Sequence, residues 1–145
     1  MGFNWINWVN LLAIVCLILI NIIASRKGLS GSFNSKYLIV NFLEQIGRYG
    51  CMALMILPVF TKGWEFGFSS AVEMIIWMCF MPLLLIIYSV LWIRKSKGGA
   101  GILYALAIIP VVLFLLNGLL LHHPALIVAS FVFGVCHFMI VKENV

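Results

Sequence analysis

The amino-acid sequence predicts an all-α, polytopic membrane helical bundle, because both its composition and its long apolar segments are typical of that class. Of its 145 residues, 65% are hydrophobic and 9% are charged, and the mean hydropathy is +1.19. Soluble domains are about 45–50% apolar and about 25% charged, so a soluble chain of this length would lack the polar surface to cover itself. Intrinsic disorder is excluded because it requires low hydrophobicity and high charge. An outer-membrane barrel is excluded because the apolar segments do not alternate apolar and polar residues as barrel strands do.

Five segments are apolar over the length that crosses a bilayer as a helix, which is about 20 residues. They predict a single transmembrane domain over residues 1–145. Its five transmembrane helices are expected at about residues 3–24, 37–60, 71–93, 102–121 and 125–141.

Local signals separate these spans. The Gly- and Ser-containing segment 25–36 precedes span two, and the basic, Gly-rich segment 94–101 precedes span four. Ser70 and Glu73 fit an S-x-x-E capping box at the start of span three. Spans four and five are separated by residues 122–124 alone, so we expect them to form a tight antiparallel hairpin.

The basic residues predict the orientation. Seven of the nine lie in the segments 25–36 and 94–101 or after span five, whereas Lys62 lies between spans two and three and Arg48 lies inside span two. The positive-inside rule then places the N-terminus outside and the C-terminus in the cytoplasm. Two short basic loops cannot form the charged stripe that nucleic acid requires, so the expected partner is the lipid bilayer, with no nucleic acid.

Span two carries the polar residues that are most costly in a membrane. At about 100° per residue, Asn41, Glu44 or Gln45, and Arg48 form one polar stripe, which Tyr49 follows. Glu44 and Arg48 have the i,i+4 spacing of a helical ion pair. Charged residues within spans often mark ligand or proton sites, with Arg48 binding an anion and Glu44 exchanging a proton. The alternative is a neutralised pair that only fixes the rotation of the helix, with Arg48 reaching the interface.

The predicted orientation places polar residues of the other spans at the depth of this pair. These residues are Asn21, Tyr88, Ser89, Tyr104 and His137. Tyr also serves as an interfacial anchor, and His also serves as a helix–helix hydrogen-bonding residue, so their convergence depends on helix rotation. If they converge, they form a cavity open to the cytoplasm or the inner leaflet. The candidate ligand-binding residues are Asn21, Asn41, Glu44, Gln45, Arg48, Tyr49, Tyr104 and His137.

The sequence predicts no catalytic, metal or cofactor site. It contains no Asp, no phosphate-binding loop, no nucleophile elbow and no zinc-protease motif. The four cysteines lie in separate spans without a CxxC pattern, which favours a packing role. About 20 Å of helix separates His123 from His137, so these side chains cannot share a metal ion within one subunit. We expect Asn10 and Asn117 to form hydrogen bonds between helices.

Parts of three spans resemble a known family. The residues 44–52 (EQIGRYGCM), 107–110 (AIIP), Phe133, Gly134 and His137 are similar to those of a family of small bacterial multispanning membrane proteins without an assigned function. The resemblance implies a location in the bacterial cytoplasmic (plasma) membrane. It implies no catalytic or binding role for any residue.

Three functional interpretations are compatible with these residues. The first is a protein that binds a small molecule or a lipid in the cavity, or transports it. We expect such a carrier to act as a homodimer, because five helices enclose little volume. The second is an accessory or regulatory subunit whose polar stripe docks on a larger membrane partner. The third is an intramembrane enzyme that uses Glu44, Tyr49 or His137 as acid or base, although no motif favours enzymatic activity.

Overall fold

The computed structural model describes residues 6–29, 33–57, 68–95 and 99–145, and these residues contain helices and no β-strand. There are five helices in this part of the chain. In order, they are α1 (Trp8–Arg26), α2 (Leu38–Ile56), α3 (Ala71–Arg94), α4 (Ala100–Leu120) and α5 (Pro124–Asn144). The prediction of an all-α fold is confirmed.

Four of these helices, α1, α3, α4 and α5, are long and apolar enough to cross a membrane by length and composition. The remaining helix, α2, has the same length as α1. Its mean hydropathy is lower because it carries the polar stripe that the sequence analysis identified. Among the described helices, α2 is therefore the one whose polar residues lower its mean hydropathy below that of its neighbours.

The helix ends have local causes. The helix α1 begins at Trp8, later than expected, because the Asn7 side chain accepts a hydrogen bond from the Asn10 N–H at 3.0 Å and so caps the helix. The helix α2 ends at Ile56. The next residue, Leu57, is extended, as expected of a residue that precedes a proline. The rest of the two predicted spans, residues 3–5 and 58–60, lies outside the described residues.

The capping box of α3 is confirmed. The Ser70 hydroxyl accepts a hydrogen bond from the Glu73 N–H at 3.3 Å, and the Glu73 carboxylate accepts one from the Ser69 N–H at 2.8 Å. A second Glu73 oxygen lies 2.9 Å from His122 Nε2. The start of α3 is thereby joined to the turn between α4 and α5.

That turn forms the tight hairpin expected from its length. His122 adopts a left-handed conformation with φ of 49°. The His122 and His123 N–H groups donate to the carbonyl oxygens of Leu119 and Gly118 at 3.1 and 2.8 Å, which is the Schellman pattern at a helix C-terminus. His123 then caps α5, because its Nδ1 accepts a hydrogen bond from the Leu126 N–H at 3.2 Å.

The contacts at the helix ends define an up-and-down bundle. Asn7, before α1, donates its N–H to the Ile56 carbonyl at the end of α2 at 2.8 Å. At the opposite end, Lys36, before α2, donates its N–H to the Glu143 carboxylate of α5 at 3.1 Å. We call this second end, where α1, α3 and α5 finish and α2 and α4 begin, the basic end.

The helix α5 packs extensively on α2 and α4. Small residues allow these close approaches, as they do between the helices of membrane proteins. A Cβ atom at Gly47 of α2 would lie 2.9 Å from Phe133 Cβ, and one at Gly118 of α4 would lie 2.8 Å from Ile127 Cγ1. The backbones of these helices can approach this closely because both positions lack a side chain.

A buried polar junction joins α1, α3 and α4 in the half of the bundle away from the basic end. The Trp77 indole N–H is shared between Asn10 Oδ1 and Asn117 Oδ1, at 3.0 Å from each. Asn117 also donates to the Leu113 carbonyl at 3.1 Å. The expected interhelical role of Asn10 and Asn117 is confirmed, with Trp77 as their common donor.

We expect Gly47→Ala and Gly50→Ala to change stability in opposite directions. An added methyl group at Gly47 overlaps Phe133, so the free energy of unfolding should fall by about 1–3 kcal/mol. A Cβ at Gly50 meets nothing within 4 Å, and Ala favours a helix over Gly by up to about 1 kcal/mol. Thermal unfolding in detergent, followed with a thiol-reactive dye that reports exposure of the buried Cys51 and Cys136 above the background from the exposed Cys79, measures both. Equal effects of the two substitutions would contradict the close packing of α2 on α5.

Candidate functional site

A cavity of about 610 Å³ extends from the middle of the bundle to the basic end, with walls from all five helices. Seven of the eight predicted ligand-binding residues line this cavity. They are Asn21, Asn41, Glu44, Gln45, Arg48, Tyr49 and His137. The cavity lies in the same half of the bundle as the basic residues that flank α1, α2 and α3.

Glu44 is the centre of the polar cluster in the cavity wall. Its side chain is 3% exposed and is paired with Arg48, one turn along α2. The same carboxylate oxygen, Oε1, lies 2.9 Å from His137 Nδ1 on α5. A buried carboxylate needs opposite charge and hydrogen-bond donors, and here one donor comes from its own helix and the other from the neighbouring helix.

The close approach of α2 to α5 is what brings Glu44 to His137. The buried residues of α2 recur at the spacing of one helical face, and they are Val40, Glu44, Gly47, Cys51 and Met55. Gly47 permits contact with Phe133, which precedes His137 by one helical turn. On the other side of Gly47, Cys51 Sγ lies 3.7 Å from Ser130 Oγ. The polar pair therefore belongs to a continuous seam between the two helices.

Phe133 supports both hydrogen-bond partners of Glu44 in the cluster. Its ring stacks on the His137 ring, with centroids 4.9 Å apart, and the Arg48 guanidinium lies 5.9 Å from its centroid. The latter is within the range of a cation–π interaction. The buried Phe133 thus fixes the positions of the two side chains that bind Glu44.

A second cation, Lys95, lies in the cavity wall at the basic end. Its ammonium is 4.8 Å from the ring centroid of Trp92 and 5.1 Å from that of Phe33, and it donates a hydrogen bond to the Leu29 carbonyl. Partial burial lowers the pKa of the Lys95 ammonium from its ordinary value. Lys95 also links the end of α3 to the end of α1.

On the α1 and α3 sides, the polar wall is formed by Asn21 and Tyr88. The Tyr88 hydroxyl donates to Asn21 Oδ1 at 2.8 Å, and Asn21 Nδ2 donates to the Leu17 carbonyl at 3.0 Å. Both side chains line the cavity. Ser89 is outside the lining and donates to the Leu85 carbonyl at 2.8 Å.

The cavity opens between α1 and α2. Ile18 and Ile22 of α1 and Gln45 and Tyr49 of α2 line it while remaining exposed on the surface. The two helices meet at the opposite end, where Asn7 contacts Ile56. The gap therefore faces the side of the bundle. Ser25 and Asn34 also line the cavity and are exposed, so the cavity is open at the basic end as well.

The remaining predicted residues differ in what they contribute. Asn41 lines the cavity, but its amide is bonded to the backbone N–H and carbonyl of Ser35, at 2.8 Å each, so it mainly fixes the segment before α2. Tyr104 lies outside the lining, and its ring packs against Phe138 with centroids 5.5 Å apart. The rotation of α4 directs Leu103 and Leu106 toward the cavity instead.

The sequence analysis missed three residues that shape the site. Phe133 is one turn from His137, so helical periodicity alone could have placed it beside the cluster. In the sequence, Lys95 belongs to the basic segment that predicts orientation, and no contribution to the site is predicted for Trp92. Their contribution to the cavity depends on the relative positions of α1, α3 and segment 33–35, for which the sequence carries no signal.

Comparison of this chain with known protein families, curated proteins and solved structures finds no match. The suggested likeness to small bacterial multispanning proteins therefore stays a prediction. A function is therefore inferred from the geometry of the cavity and of the Glu44–Arg48–His137 cluster.

Proposed function

We propose that this protein is an integral membrane protein with five spans that binds a small molecule or a lipid in the cavity beside Glu44, Arg48 and His137. Catalysis is not part of the proposal, because no nucleophile or metal-ligand motif favours it. The alternative, an accessory subunit of a larger membrane complex, is separated from ligand binding by the experiment on the cavity described below.

The observation that carries this proposal is the unequal exposure of the ion pair. The Glu44 side chain is 3% exposed, whereas that of Arg48 is 35% exposed, and Arg48 lines a cavity. A pair that serves only to fix helix rotation has no need of a cavity beside it. Pockets of about 300–1,000 Å³ with apolar walls and a few polar groups are typical of small-ligand sites.

The proposal that α2 is a fifth span rests on its two faces. Its polar groups face α5 or the cavity, while its outer face carries exposed apolar residues, which are Leu38, Ile39, Phe42, Leu43 and Ile46. It also runs between the same two ends as its neighbours. Such a helix can face lipid on one side and a polar interior on the other. The clustering of basic residues favours a cytoplasmic location for the basic end, and thus an outside N-terminus.

This orientation can be tested by labelling single introduced cysteines. Gly99→Cys lies at the basic end and Ser69→Cys at the opposite end, and both positions are exposed. We expect a membrane-impermeant maleimide to label Ser69→Cys on intact cells and Gly99→Cys only after permeabilisation. The native chain provides the background from its own cysteines. Labelling of Gly99→Cys on intact cells would refute the proposed orientation.

Filling the cavity should abolish ligand binding. Leu103→Trp places a large ring in the cavity wall, whereas the control Leu119→Trp changes an exposed position on the same helix outside the lining. We expect mass spectrometry of the purified protein to find a co-purifying small molecule with the native chain and with Leu119→Trp, and to find it lost with Leu103→Trp. Monodisperse elution and an unchanged helical circular dichroism spectrum establish that both variants are folded.

Two results would contradict ligand binding in the cavity. One is recovery of no small molecule from the native chain, and the other is equal recovery from both variants. A purified chain without any ligand would favour the accessory-subunit interpretation, in which the polar stripe serves a larger membrane partner.

A further inference from the structure

The net charge of the cavity wall determines which ligand charge the cavity favours. Among the described lining residues, the carboxylate of Glu44 is the one acidic group, and it is already paired with Arg48. Lys95 is a second cation without a carboxylate in the described wall. The paired charges of Glu44 and Arg48 cancel, so Lys95 leaves the wall with a net positive charge, which favours an anionic ligand over a cationic one.

Arg48 has hydrogen-bonding capacity left over for such a ligand. A guanidinium has five N–H donors, and the ion pair with Glu44 uses Nη2. The rest of the group lies in a partly exposed side chain that lines the cavity. Glu44 and the Phe133 ring hold the guanidinium in place, so binding an anion would require little reordering of the side chain.

Lys95 is held in a comparable way nearer the basic end. The aromatic rings of Trp92 and Phe33 and the carbonyl of Leu29 contact its ammonium. An ammonium has three donors, so one hydrogen bond to a carbonyl leaves others for an anion. Carboxylate and phosphate groups form the strongest hydrogen bonds with such cations.

Apolar side chains form much of the remaining wall and the α1 side of the opening. Leu17, Leu106 and Phe114 line the interior, and Ile18 and Ile22 line the gap between α1 and α2. This gap faces the side of the bundle, where lipid chains lie if the helices span a bilayer. A ligand with an anionic head and an apolar chain can place its head beside the cations and its chain against the apolar residues.

The geometry points to a single-chain anionic amphiphile as the ligand, with its carboxylate or phosphate head bound by Arg48, with Lys95 adding positive charge from nearer the basic end, and with its chain along the apolar residues of α1 that line the cavity. This inference rests on the proposed ligand-binding function and specifies its substrate class. A cavity of about 610 Å³ is of the size that holds one drug-sized molecule, which suits one head with part of one chain.

Competition binding tests the inference on the full chain in a neutral maltoside detergent. The probe is radiolabelled myristic acid at a pH at which it is ionised, and the competitors are myristyl phosphate, myristyl alcohol and inorganic phosphate at equal concentration. We expect myristyl phosphate to displace the probe, and we expect the alcohol and inorganic phosphate to be at least tenfold weaker. Displacement by inorganic phosphate alone would assign the site to a free anion and overturn the amphiphile.

Two substitutions of lysine locate the head group. We expect Lys95→Gln to weaken myristate binding about tenfold, because it removes one cation from the cavity wall. The matched control is Lys36→Gln, which removes an exposed lysine at the same end that does not line the cavity and should leave binding unchanged. Arg48→Lys keeps a charge for Glu44, and we expect it also to weaken binding, because it lacks the planar fork of donors.

The outcomes separate this inference from the proposed function. Equal binding of myristyl alcohol and myristate, with no effect of Lys95→Gln, would overturn the anionic head while leaving the cavity as a binding site. Equal losses in Lys95→Gln and Lys36→Gln would assign the effect to surface charge and overturn the head-group site. Failure of every amphiphile to bind, together with no co-purifying molecule in the cavity experiment, would overturn both proposals.

Discussion

The burial of the Glu44 carboxylate is the constraint on which the rest of the site depends. A charged group removed from water is stable only if cations and hydrogen-bond donors surround it. Arg48 supplies one partner from the same helix, and His137 supplies the other from α5. For both contacts to form, α2 must pack closely on α5, and the missing side chain at Gly47 allows it to do so. The ion pair, the interhelical seam and the position of the cavity are therefore consequences of one arrangement.

The same arrangement explains why α2 is less apolar than the other described helices. Glu44 and Arg48 of α2 face α5 or the cavity, whereas Gln45 and Tyr49 line the cavity but remain exposed on the surface. Its outer face remains apolar, as on the other helices. The scarcity of charge in the whole chain, 9% of residues, makes the position of each charge informative. Among the charges carried inside the described helices, Glu44 and Arg48 are joined to each other beside a cavity.

Much of this site could be predicted from sequence, because helical periodicity fixes which residues of one helix share a face. The stripe of Asn41, Glu44 and Arg48 followed from spacing alone, and depth arguments added Asn21 and His137. What spacing cannot supply is the rotation of one helix relative to another. Tyr104 therefore lies outside the cavity, against Phe138. Lys95 lines the cavity, although the sequence connects it only with the orientation of the helices. A count of basic residues predicts the side of the membrane on which a segment lies, but not the neighbours of a side chain.

The coupling between Glu44 and His137 tests this account most directly. A double-mutant cycle of Glu44→Leu and His137→Phe, with unfolding followed in mixed detergent micelles, gives their interaction free energy without the separate effects of each substitution. Contact across α2 and α5 predicts a coupling of about 1 kcal/mol or more, so the double variant should lose less stability than the sum of the single variants. Additivity within about 0.3–0.5 kcal/mol would contradict the claim that Glu44 joins the two helices.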